Sequence, residues 1–345
     1  MEERNLHRRG PAPHNRSRRR GPDQADSAHV GQAMTSKASG RVLYLNPMDY
    51  GTNPGVDAIA HGLHHRLETS GLELRVVFND FSRADWRERA ASTIDAAIAA
   101  KFRAVVIYVL DPMEPAAAVA RARKAGLQVF SFERPRFPVD GSLVYPNFNQ
   151  GTYMAEHLAD RLRTGAAVAV VGGPKIIDDD ELVAGIVNGV DRSGLNRVND
   201  PTEDKYRNES DLRPGGRVTA LRILADFPQL DGMVPFNDET MLGTLDALDE
   251  TGRESIKVVS RNGTPKAVQA VREGRSEGTW DINAPGIGGA LGDVIVRHLA
   301  SSAVDGEDLA LGPIGQMIDA SNVARWKAWS ERIPFAPLAE GLGDD

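Results

Sequence analysis

The sequence contains no cysteine. Disulfides, cysteine nucleophiles, thiolate metal sites and a lipoprotein cysteine are therefore excluded. No uninterrupted apolar run approaches the ~20 residues that a membrane-spanning helix needs. The net charge of −7 disfavours general binding to nucleic acid or to a membrane surface, because both carry negative charge. What is present is a 345-residue chain with 41% hydrophobic residues, long enough for about two domains with sizeable cores.

Residues 1–40 lack apolar periodicity and are rich in Arg, Pro, Gly and Ser. Such a composition buries too little apolar surface to offset the entropy of ordering, so we predict a disordered basic tail. Arg18, Arg19 and Arg20 suggest a twin-arginine export signal, but no apolar segment follows them. The tail has two alternative explanations. It is a nucleic-acid-binding arm, or it results from an upstream start, with Met34 as the true first residue. As written, the sequence shows no signal peptide.

Motifs that would indicate an enzyme, a cofactor or a metal are weak. No serine lies in a G-x-S-x-G turn, and no acid–base pair has a diagnostic spacing. GIGGALG, residues 286–292, has the glycines of a dinucleotide fingerprint, but it lies late in the chain, where close helix packing explains them better. DDDE, residues 178–181, fits an acidic first helical turn better than a metal site. His61 and His65 share a predicted helix face without a third ligand. We therefore expect no cofactor, no metal and no catalytic residue.

After the tail, apolar strands alternate regularly with amphipathic helices. RVLYLN (41–46) is a predicted strand, and a helix follows over residues 54–69, with Gly71 just beyond its end. Similar strand–helix pairs continue, and the pattern restarts after Pro146, with a helix predicted over residues 181–192. Repeated β-α units with nearly continuous apolar strands indicate parallel sheets covered by helices on both faces. We therefore predict an α/β fold with two doubly wound parallel-sheet lobes.

The segment DGMVPFNDETMLGTLDALDETG, residues 231–252, combines a strand, a polar edge and a helix. The apolar run ends at Asn237, and the helical pattern that follows ends at Gly252. Asn237, Asp238 and Glu239 can cap this helix, because such side chains satisfy its free N–H groups. They can also face a ligand, because open α/β sheets bind ligands at the carboxyl ends of their strands.

Several segments in register resemble the type I periplasmic binding proteins, which include the ribose-binding protein family and the ligand domain of lactose-repressor-type regulators. MVPFNDETMLGTLDAL is similar to that family's strand–Asn–Asp–helix segment, and VVSRNGTPKAVQAV to a segment in which an aspartate precedes Gly-Thr-Pro. VFSFERP resembles a strand that ends in an acid–arginine pair, YVLDPMEPAAA an Asn-Pro-x-Asp turn, and YPNFNQG the first crossing between lobes. The resemblance covers residues 41–325 and implies a three-strand hinge between the lobes.

The resemblance also implies lobe boundaries. The N-terminal lobe is expected to comprise residues 41–146 and 284–313, and the C-terminal lobe residues 147–283 and 314–338. The chain is expected to cross the hinge near Pro146–Asn147, Asp281–Pro285 and Gly312–Gly315.

A ligand site between the lobes is a further implication of the resemblance. Asn237 matches the asparagine that contacts the sugar. Glu133 and Arg134 match the pair that grips ligand hydroxyls, and Asp111 matches a turn residue. The other candidate ligand-binding residues are Tyr50, Asp180, Arg261, Asn262, Asp281 and Asn283. Asn237 is expected to reach the ligand while Asp238 or Glu239 caps the helix, and Tyr50 or Trp280 could supply an apolar face for a ring.

The chain departs from the family pattern at three places. Asn262, preceded by Arg261, stands where the family has its sugar-binding aspartate before Gly263. Only Tyr50 is present where paired aromatic residues usually follow the first strand. Asp180 aligns loosely with an expected arginine. We therefore expect a ligand other than ribose.

The sequence thus predicts a non-enzymatic, monomeric binding protein that captures a sugar or polyol in an interlobe cleft. Its partner would be an ABC transporter permease or a membrane sensor, and not nucleic acid. The family implies a periplasmic or extracytoplasmic location, whereas the missing signal peptide favours an alternative, a cytoplasmic ligand-sensing regulator module. A third hypothesis, a carbohydrate-active enzyme, requires Asp111, Glu133 and Asp281 to share one cleft.

Overall fold

The computed structural model describes residues 40–301 and 307–343. The predicted basic tail lies outside the described residues, except for Gly40. In chain order the strands are β1 (Gly40–Asn46), β2 (Leu72–Phe78), β3 (Ala104–Tyr108), β4 (Gln128–Phe132), β5 (Gly141–Val144), β6 (Ala167–Val171), β7 (Asn196–Arg197), β8 (Gly232–Pro235), β9 (Lys257–Asn262), β10 (Gly278–Asp281), β11 (Asp308–Leu311), β12 (Gln316–Ile318) and β13 (Ala339–Glu340). The helices are α1 (Pro54–Thr69), α2 (Trp86–Ala99), α3 (Ala116–Lys124), α4 (Asn147–Ala159), α5 (Ile177–Arg192), α6 (Arg213–Asp226), α7 (Asp238–Thr251), α8 (Pro265–Arg272), α9 (Ala284–Ala300) and α10 (Trp329–Arg332). Among these helices, none is both long and apolar enough to cross a bilayer.

The strands form two sheets. The first has the order β11-β5-β4-β3-β1-β2-β13, with parallel pairing throughout. The second has the order β12-β10-β9-β8-β6-β7 and is parallel except for the antiparallel pair β10–β12. We call the first sheet with its helices the N-terminal lobe and the second the C-terminal lobe. The predicted α/β fold of two parallel-sheet lobes is confirmed.

Each sheet is buried on both faces, as β1 illustrates. Val42 and Tyr44 pack into the core shared with α1 and α9, whereas Leu43 and Leu45 pack into the core shared with α2 and α3. Successive side chains of a strand point to opposite faces, so two covered faces require a continuous apolar run. This is why RVLYLN contains the continuous apolar run VLYL rather than an alternation of apolar and polar residues.

Helix α1 has the bounds that the sequence predicts, because its capping signals are local. The Asn53 side chain accepts a hydrogen bond from the Gly55 N–H at 3.0 Å, and Pro54 occupies the first helical position. Gly71 follows the helix with a φ of 84°, a left-handed conformation that favours glycine.

The glycines of GIGGALG serve helix packing, as predicted. A Cβ atom on Gly288 would collide with the carbonyl oxygen of Ile59 on α1, and one on Gly62 would collide with the carbonyl oxygen of Pro285 on α9. Reciprocal glycines therefore let the backbones of α1 and α9 approach each other closely. No nucleotide is needed to explain them.

Three strands were not predicted, and one helix starts earlier than expected. The strands β5, β11 and β13 are two to four residues long and lie at or near the edges of the first sheet, where the apolar signal is short. Helix α5 begins at Ile177 rather than at Glu181. The acidic run of residues 178–180 therefore belongs to the first turn of this helix.

The chain passes between the two sheets after β5, after β10 and after β11, and then a fourth time. Beyond β12 it returns to the first sheet, where β13 pairs with β2. On this path Trp329 is buried in the α1–α9 core of the N-terminal lobe, and Trp326 packs beside Val268 and Ile318 of the C-terminal lobe. The C-terminal segment, residues 319–340, therefore packs against both lobes.

Candidate functional site

A cavity of about 60 Å³ lies where the carboxyl ends of both sheets face each other. Open α/β sheets bind ligands at this edge, because the loops that follow parallel strands meet there. Met48 follows β1, Asn237 follows β8, and Ile282 follows β10. The other lining residues are Pro47, Asn53, Gly55, Val56, Ile59, Phe81, Tyr108, Leu110, Tyr145, Ile176, Asp178, Asp179, Asp211, Arg261 and Asn262. Both lobes thus contribute polar and apolar walls.

Asn237 caps α7 and also faces this cavity. Its Oδ1 accepts a hydrogen bond from the Thr240 N–H at 2.9 Å, and its Nδ2 donates to Asp211 Oδ1. Asn53 of the N-terminal lobe donates from Nδ2 to Asp211 Oδ2 at 2.9 Å. Asp211 therefore accepts hydrogen bonds from an amide of each lobe and links the two lobes across the cavity.

Asp238 is not the helix cap that the sequence predicts. Its carboxylate is buried and accepts hydrogen bonds from Ser260 Oγ at 2.5 Å, Thr279 Oγ1 at 2.6 Å and the Thr264 N–H at 2.7 Å. These donors lie on β9, on β10 and before α8. The carboxylate thus ties three elements of the C-terminal lobe together, while the neighbouring amide of Asn237 supplies the cap.

The first turn of α5 directs its acidic residues to different surroundings. Asp178 and Asp179 are buried and line the cavity, whereas Asp180 is exposed and pairs with Arg207 at 2.8 Å. Successive helical residues are rotated by about 100°, so only part of an acidic run can face one cavity. Tyr108 of β3 donates its hydroxyl to Asp178 Oδ2 at 2.9 Å, which is a second polar link between the lobes.

Arg261 reaches the first crossing rather than a carboxylate. Its Nη2 donates to Asn147 Oδ1 at 2.9 Å, and Asn147 donates from Nδ2 to Glu133 Oε1 at 3.1 Å. The Tyr145 N–H donates to the same Glu133 oxygen at 3.2 Å. Glu133 is 2% exposed and lies behind the cavity wall, where it fixes the crossing between β5 and α4.

Burial changes the acidity of these carboxyl groups. It raises the pKa of Asp211 to about 7 and that of Glu133 to about 8. Burial also raises the pKa of Asp178, against the lowering effect of Arg261, and it raises the pKa of Asp179 well above its ordinary value, with added repulsion from Asp178 and Asp211. The cavity therefore concentrates carboxyl groups that resist ionisation.

We expect the free energy of unfolding to fall by about 2 kcal/mol or more between pH 6.5 and pH 8. A carboxyl group with a raised pKa binds its proton more tightly in the folded state, so its contribution is present at low pH and lost as the pH rises through the folded pKa. Other ionisable groups that act on these carboxyls are Arg261, Tyr108, Tyr145, Glu181 and Glu239. Burial also raises the pKa of Asp238 to about 7, which adds to the same loss. The lowered pKa values of His61 and His157 act oppositely, at lower pH.

Urea unfolding at half-unit pH steps measures this slope. Asp179→Asn removes one of the responsible groups and is expected to flatten the profile and to stabilise the protein at pH 8. A profile that rises from pH 6.5 to pH 8 would show that these carboxyls are ionised and stabilised in the folded protein.

Three of the candidate residues from the sequence meet at the cavity: Asn237, Arg261 and Asn262. Glu133 lies directly behind it, in contact with Asn147. The structure does not bring Tyr50 there, since this side chain is 53% exposed and its hydroxyl contacts His61.

The other candidates lie elsewhere because other groups hold them. Asp111 lines a surface depression beside Arg87 that adjoins the cavity and shares Phe81, Leu110 and Ile176 with it. Arg134 points outward to Glu307 at 3.1 Å. Asp180 pairs with Arg207 outside the cavity. Asp281 accepts hydrogen bonds from Trp326 and Trp329 of the C-terminal segment, and Asn283 Oδ1 accepts one from Arg332. Trp280 stacks on Tyr153 instead of facing the cavity.

Six polar residues of the site were not predicted from the sequence: Asn53, Tyr108, Tyr145, Asp178, Asp179 and Asp211. Asn53 and the α5 aspartates were visible as helix-start signals, and such signals do not reveal what else the helix end faces. Asp211 lies in an irregular polar segment with a left-handed backbone (φ 57°), where no periodic pattern exists. Among the described residues, no group of three or more His, Asp or Glu side chains is arranged to hold a metal ion.

A family model described as "Periplasmic binding protein domain" matches residues 47–303. The xylitol-binding protein of Mycolicibacterium smegmatis is 24% identical over 237 residues, which are 65% of this chain and 62% of that protein. The ribose import binding protein of Bacillus subtilis is 24% identical over 232 residues, 66% of this chain and 72% of that protein. The chain thus spans less than two thirds of the xylitol-binding protein.

Solved structures with the same fold are similar over most of the chain. An ABC transporter solute-binding protein from Actinobacillus succinogenes with bound D-allose has a TM-score of 0.71 and 17% identity, covering 84% of this chain and all of that one. One from Mycobacterium smegmatis with bound glycerol has a TM-score of 0.71 and 20% identity, covering 83% of this chain and 96% of that one. At these identities the likeness shows the fold.

Proposed function

Since the chain belongs to the periplasmic binding protein domain family, we propose that it captures a sugar or polyol in the cavity between its lobes and delivers it to an ABC transporter or a membrane sensor. The observation that carries this proposal is the convergence of polar side chains from both lobes on one cavity. Asn237, Arg261 and Asn262 come from strand ends of one lobe, and Asn53 comes from the other. Amide groups donate and accept hydrogen bonds at once, which suits a vicinal diol.

Apolar walls complete a site of this kind. Met48, Phe81, Tyr145 and Ile282 line the same cavity and can cover the C–H faces of a polyol or ring. Their presence beside convergent amides and acids is typical of sites for small, partly polar ligands. Relatives named for xylitol and ribose, and neighbours with bound D-allose and glycerol, support this class of ligand.

The size of the cavity supports binding coupled to movement of the lobes. Its volume of about 60 Å³ is small for a sugar or polyol, so such a ligand cannot enter unless the walls move apart. We propose that the N-terminal lobe moves against the C-terminal lobe to admit the ligand, breaking the Asn53–Asp211 and Tyr108–Asp178 links, while residues 319–340, which pack against both lobes, connect them.

We propose that the protein catalyses no reaction. Proteins of this family are binding proteins, and the carboxylates on which an enzyme hypothesis would rest are apart. Asp111 lies in a surface depression, Glu133 is held behind the cavity, and Asp281 is held by the C-terminal segment. An extracytoplasmic location and action as a monomer complete the proposal.

Thermal unfolding in the presence of pentitols, hexitols, inositols, aldopentoses and aldohexoses tests this function. A ligand that binds only the folded protein raises the melting temperature, so at least one of these compounds is expected to do so. Asn262→Ala should then weaken that ligand by about 1–3 kcal/mol, because ligand hydroxyls would lose a partner. The Asn262 amide has no hydrogen bond within the described part of the chain, but its φ of 129° is tolerated better by asparagine than by alanine, so the unliganded variant should lose only about 1 kcal/mol of stability.

Asn196→Ala, at an exposed amide of the C-terminal lobe, is the matched control and should bind as the parent does. Absence of any shift across the whole panel would contradict the proposed function. A shift that Asn262→Ala leaves unchanged would place the ligand outside this cavity.

A further inference from the structure

The ionisable groups that line the cavity are unbalanced in charge. They comprise the carboxyls of Asp178, Asp179 and Asp211 and one guanidinium, that of Arg261. Glu133 adds a fourth carboxyl directly behind the wall. Burial disfavours the ionised form of these acids, because a buried charge is costly unless it is paired, so a positively charged occupant would pair with a carboxylate and favour its ionised form.

The single guanidinium acts on Asp178 and Asp179 through its charge but forms no ion pair with either. Its Nη2 donates to Asn147, its Nε has no hydrogen-bond partner in the described chain, and none of the ion pairs there joins it to a carboxylate. Asp178 Oδ1 is buried without a hydrogen-bond partner among residues 40–301 and 307–343. No hydrogen bond to the Asp179 carboxyl is found within those ranges either. At the cavity wall, Asp178 Oδ1 is therefore a buried acceptor without a donor in the described chain.

Resting on the proposed function above, we propose that the ligand is an amino alcohol, a polyol or sugar derivative whose protonated amine lies against Asp178 and Asp179. An ammonium group supplies three donors and one positive charge, whereas a hydroxyl supplies one donor and no charge. The ammonium therefore supplies a donor to the unpartnered Asp178 Oδ1 and a counter-charge to the carboxyl groups.

A bare metal ion fits the same residues less well. Hard cations such as Ca²⁺ need six to eight converging oxygens, and among the described residues no set of three or more acids is arranged in that way. An organic cation needs only a few acceptors on one side, because the rest of the molecule fills the site. The Asn262 amide and the unpartnered Nε of Arg261 would donate hydrogen bonds to its hydroxyl oxygens. Met48 and Ile282 would pack against its carbon chain.

Pairs of compounds that differ by one hydroxyl-to-amine exchange test this inference. They are glycerol and 2-amino-1,3-propanediol, sorbitol and 1-amino-1-deoxysorbitol, and glucose and glucosamine. Isothermal titration at pH 7.5 and low salt is expected to show, in at least one pair, the amine binding at least tenfold more tightly than its alcohol. In Asp179→Asn the ratio of the two affinities should fall at least tenfold. Asp191→Asn, an exposed aspartate at the other end of α5, should preserve the ratio.

Each other outcome overturns the inference. The amine assignment is wrong, and the proposed function stands, if every alcohol binds at least as tightly as its amine. The same holds if a neutral compound of the panel binds and no amine does. If propylamine, which has the charge without hydroxyls, binds as tightly as the best amino alcohol, the site selects charge alone. Binding of calcium chloride without binding of amines would indicate a metal site. If neither these pairs nor the neutral panel binds, both proposals fall.

Discussion

Replacing Asp238 by alanine is expected to lower the free energy of unfolding by about 3–5 kcal/mol. The carboxylate is buried and accepts hydrogen bonds from Ser260, Thr279 and the Thr264 N–H. Its removal leaves these three donors without a partner in the interior, and each unsatisfied group costs about 1–3 kcal/mol. Partial relaxation and water entry keep the total below the sum. Urea unfolding of the parent and the variant at pH 7 measures the difference.

Glu239→Ala is the matched control, because Glu239 is the next acidic residue in the same first turn of α7. If Asp238 only complemented the helix dipole, both substitutions would cost about 0.3–1 kcal/mol. We expect that small cost for Glu239→Ala alone. If the two substitutions had equal effects, Asp238 would act only through its charge at the N-terminus of α7. Ligand affinity should survive Asp238→Ala at temperatures where the variant is folded, since Asp238 does not line the cavity.

The fold could be predicted because its signals are local and repeated. The bounds of α1 follow from Asn53, Pro54 and Gly71, which act within a few residues of the helix ends. The continuous apolar run of β1 follows from a sheet covered on both faces. The short edge strands β11 and β13 escaped detection because their pairing is decided by contacts with β5 and β2, which are remote in sequence.

The site was harder to predict, since its members come together only in the folded chain. Asn237 could be named from the strand–helix junction, but its partner Asp211 lies 26 residues away in a loop without periodicity. The acidic run of α5 was noticed, yet which of its aspartates faces inward depends on where the helix begins. A start at Ile177 places Asp178 and Asp179 at the cavity and Asp180 at Arg207.

Asp281 illustrates the limit of a resemblance between strand ends. It is the last residue of β10, at the edge where ligand residues are expected, but its side chain is 1% exposed and faces the C-terminal segment. Its Oδ2 accepts from Trp326 Nε1 at 2.8 Å, its Oδ1 accepts from Trp329 Nε1 at 3.2 Å, and Arg332 forms an ion pair with it. The residues that hold it come from the fourth passage between the lobes, which the sequence pattern did not predict.

We therefore expect Asp281→Ala to destabilise the protein by about 3–5 kcal/mol, because it leaves a guanidinium and two indole N–H groups without their acceptor. Loss of this acceptor should also release the C-terminal segment, so trypsin should cleave after Arg325 and Lys327 faster than in the parent. Asp293→Ala removes an exposed aspartate that pairs with Arg66, and it is expected to cost no more than about 1 kcal/mol.

Ligand titration separates this structural role of Asp281 from a binding role. Affinity for whichever compound stabilises the parent should change less than threefold in Asp281→Ala, measured well below its melting temperature. The C-terminal segment packs against both lobes, so its release should let the hinge open faster. This should raise the rates of ligand association and release and leave the equilibrium affinity nearly unchanged. A tenfold weaker affinity, with residues 319–340 still resistant to trypsin, would instead make Asp281 a ligand contact, as the family resemblance implies.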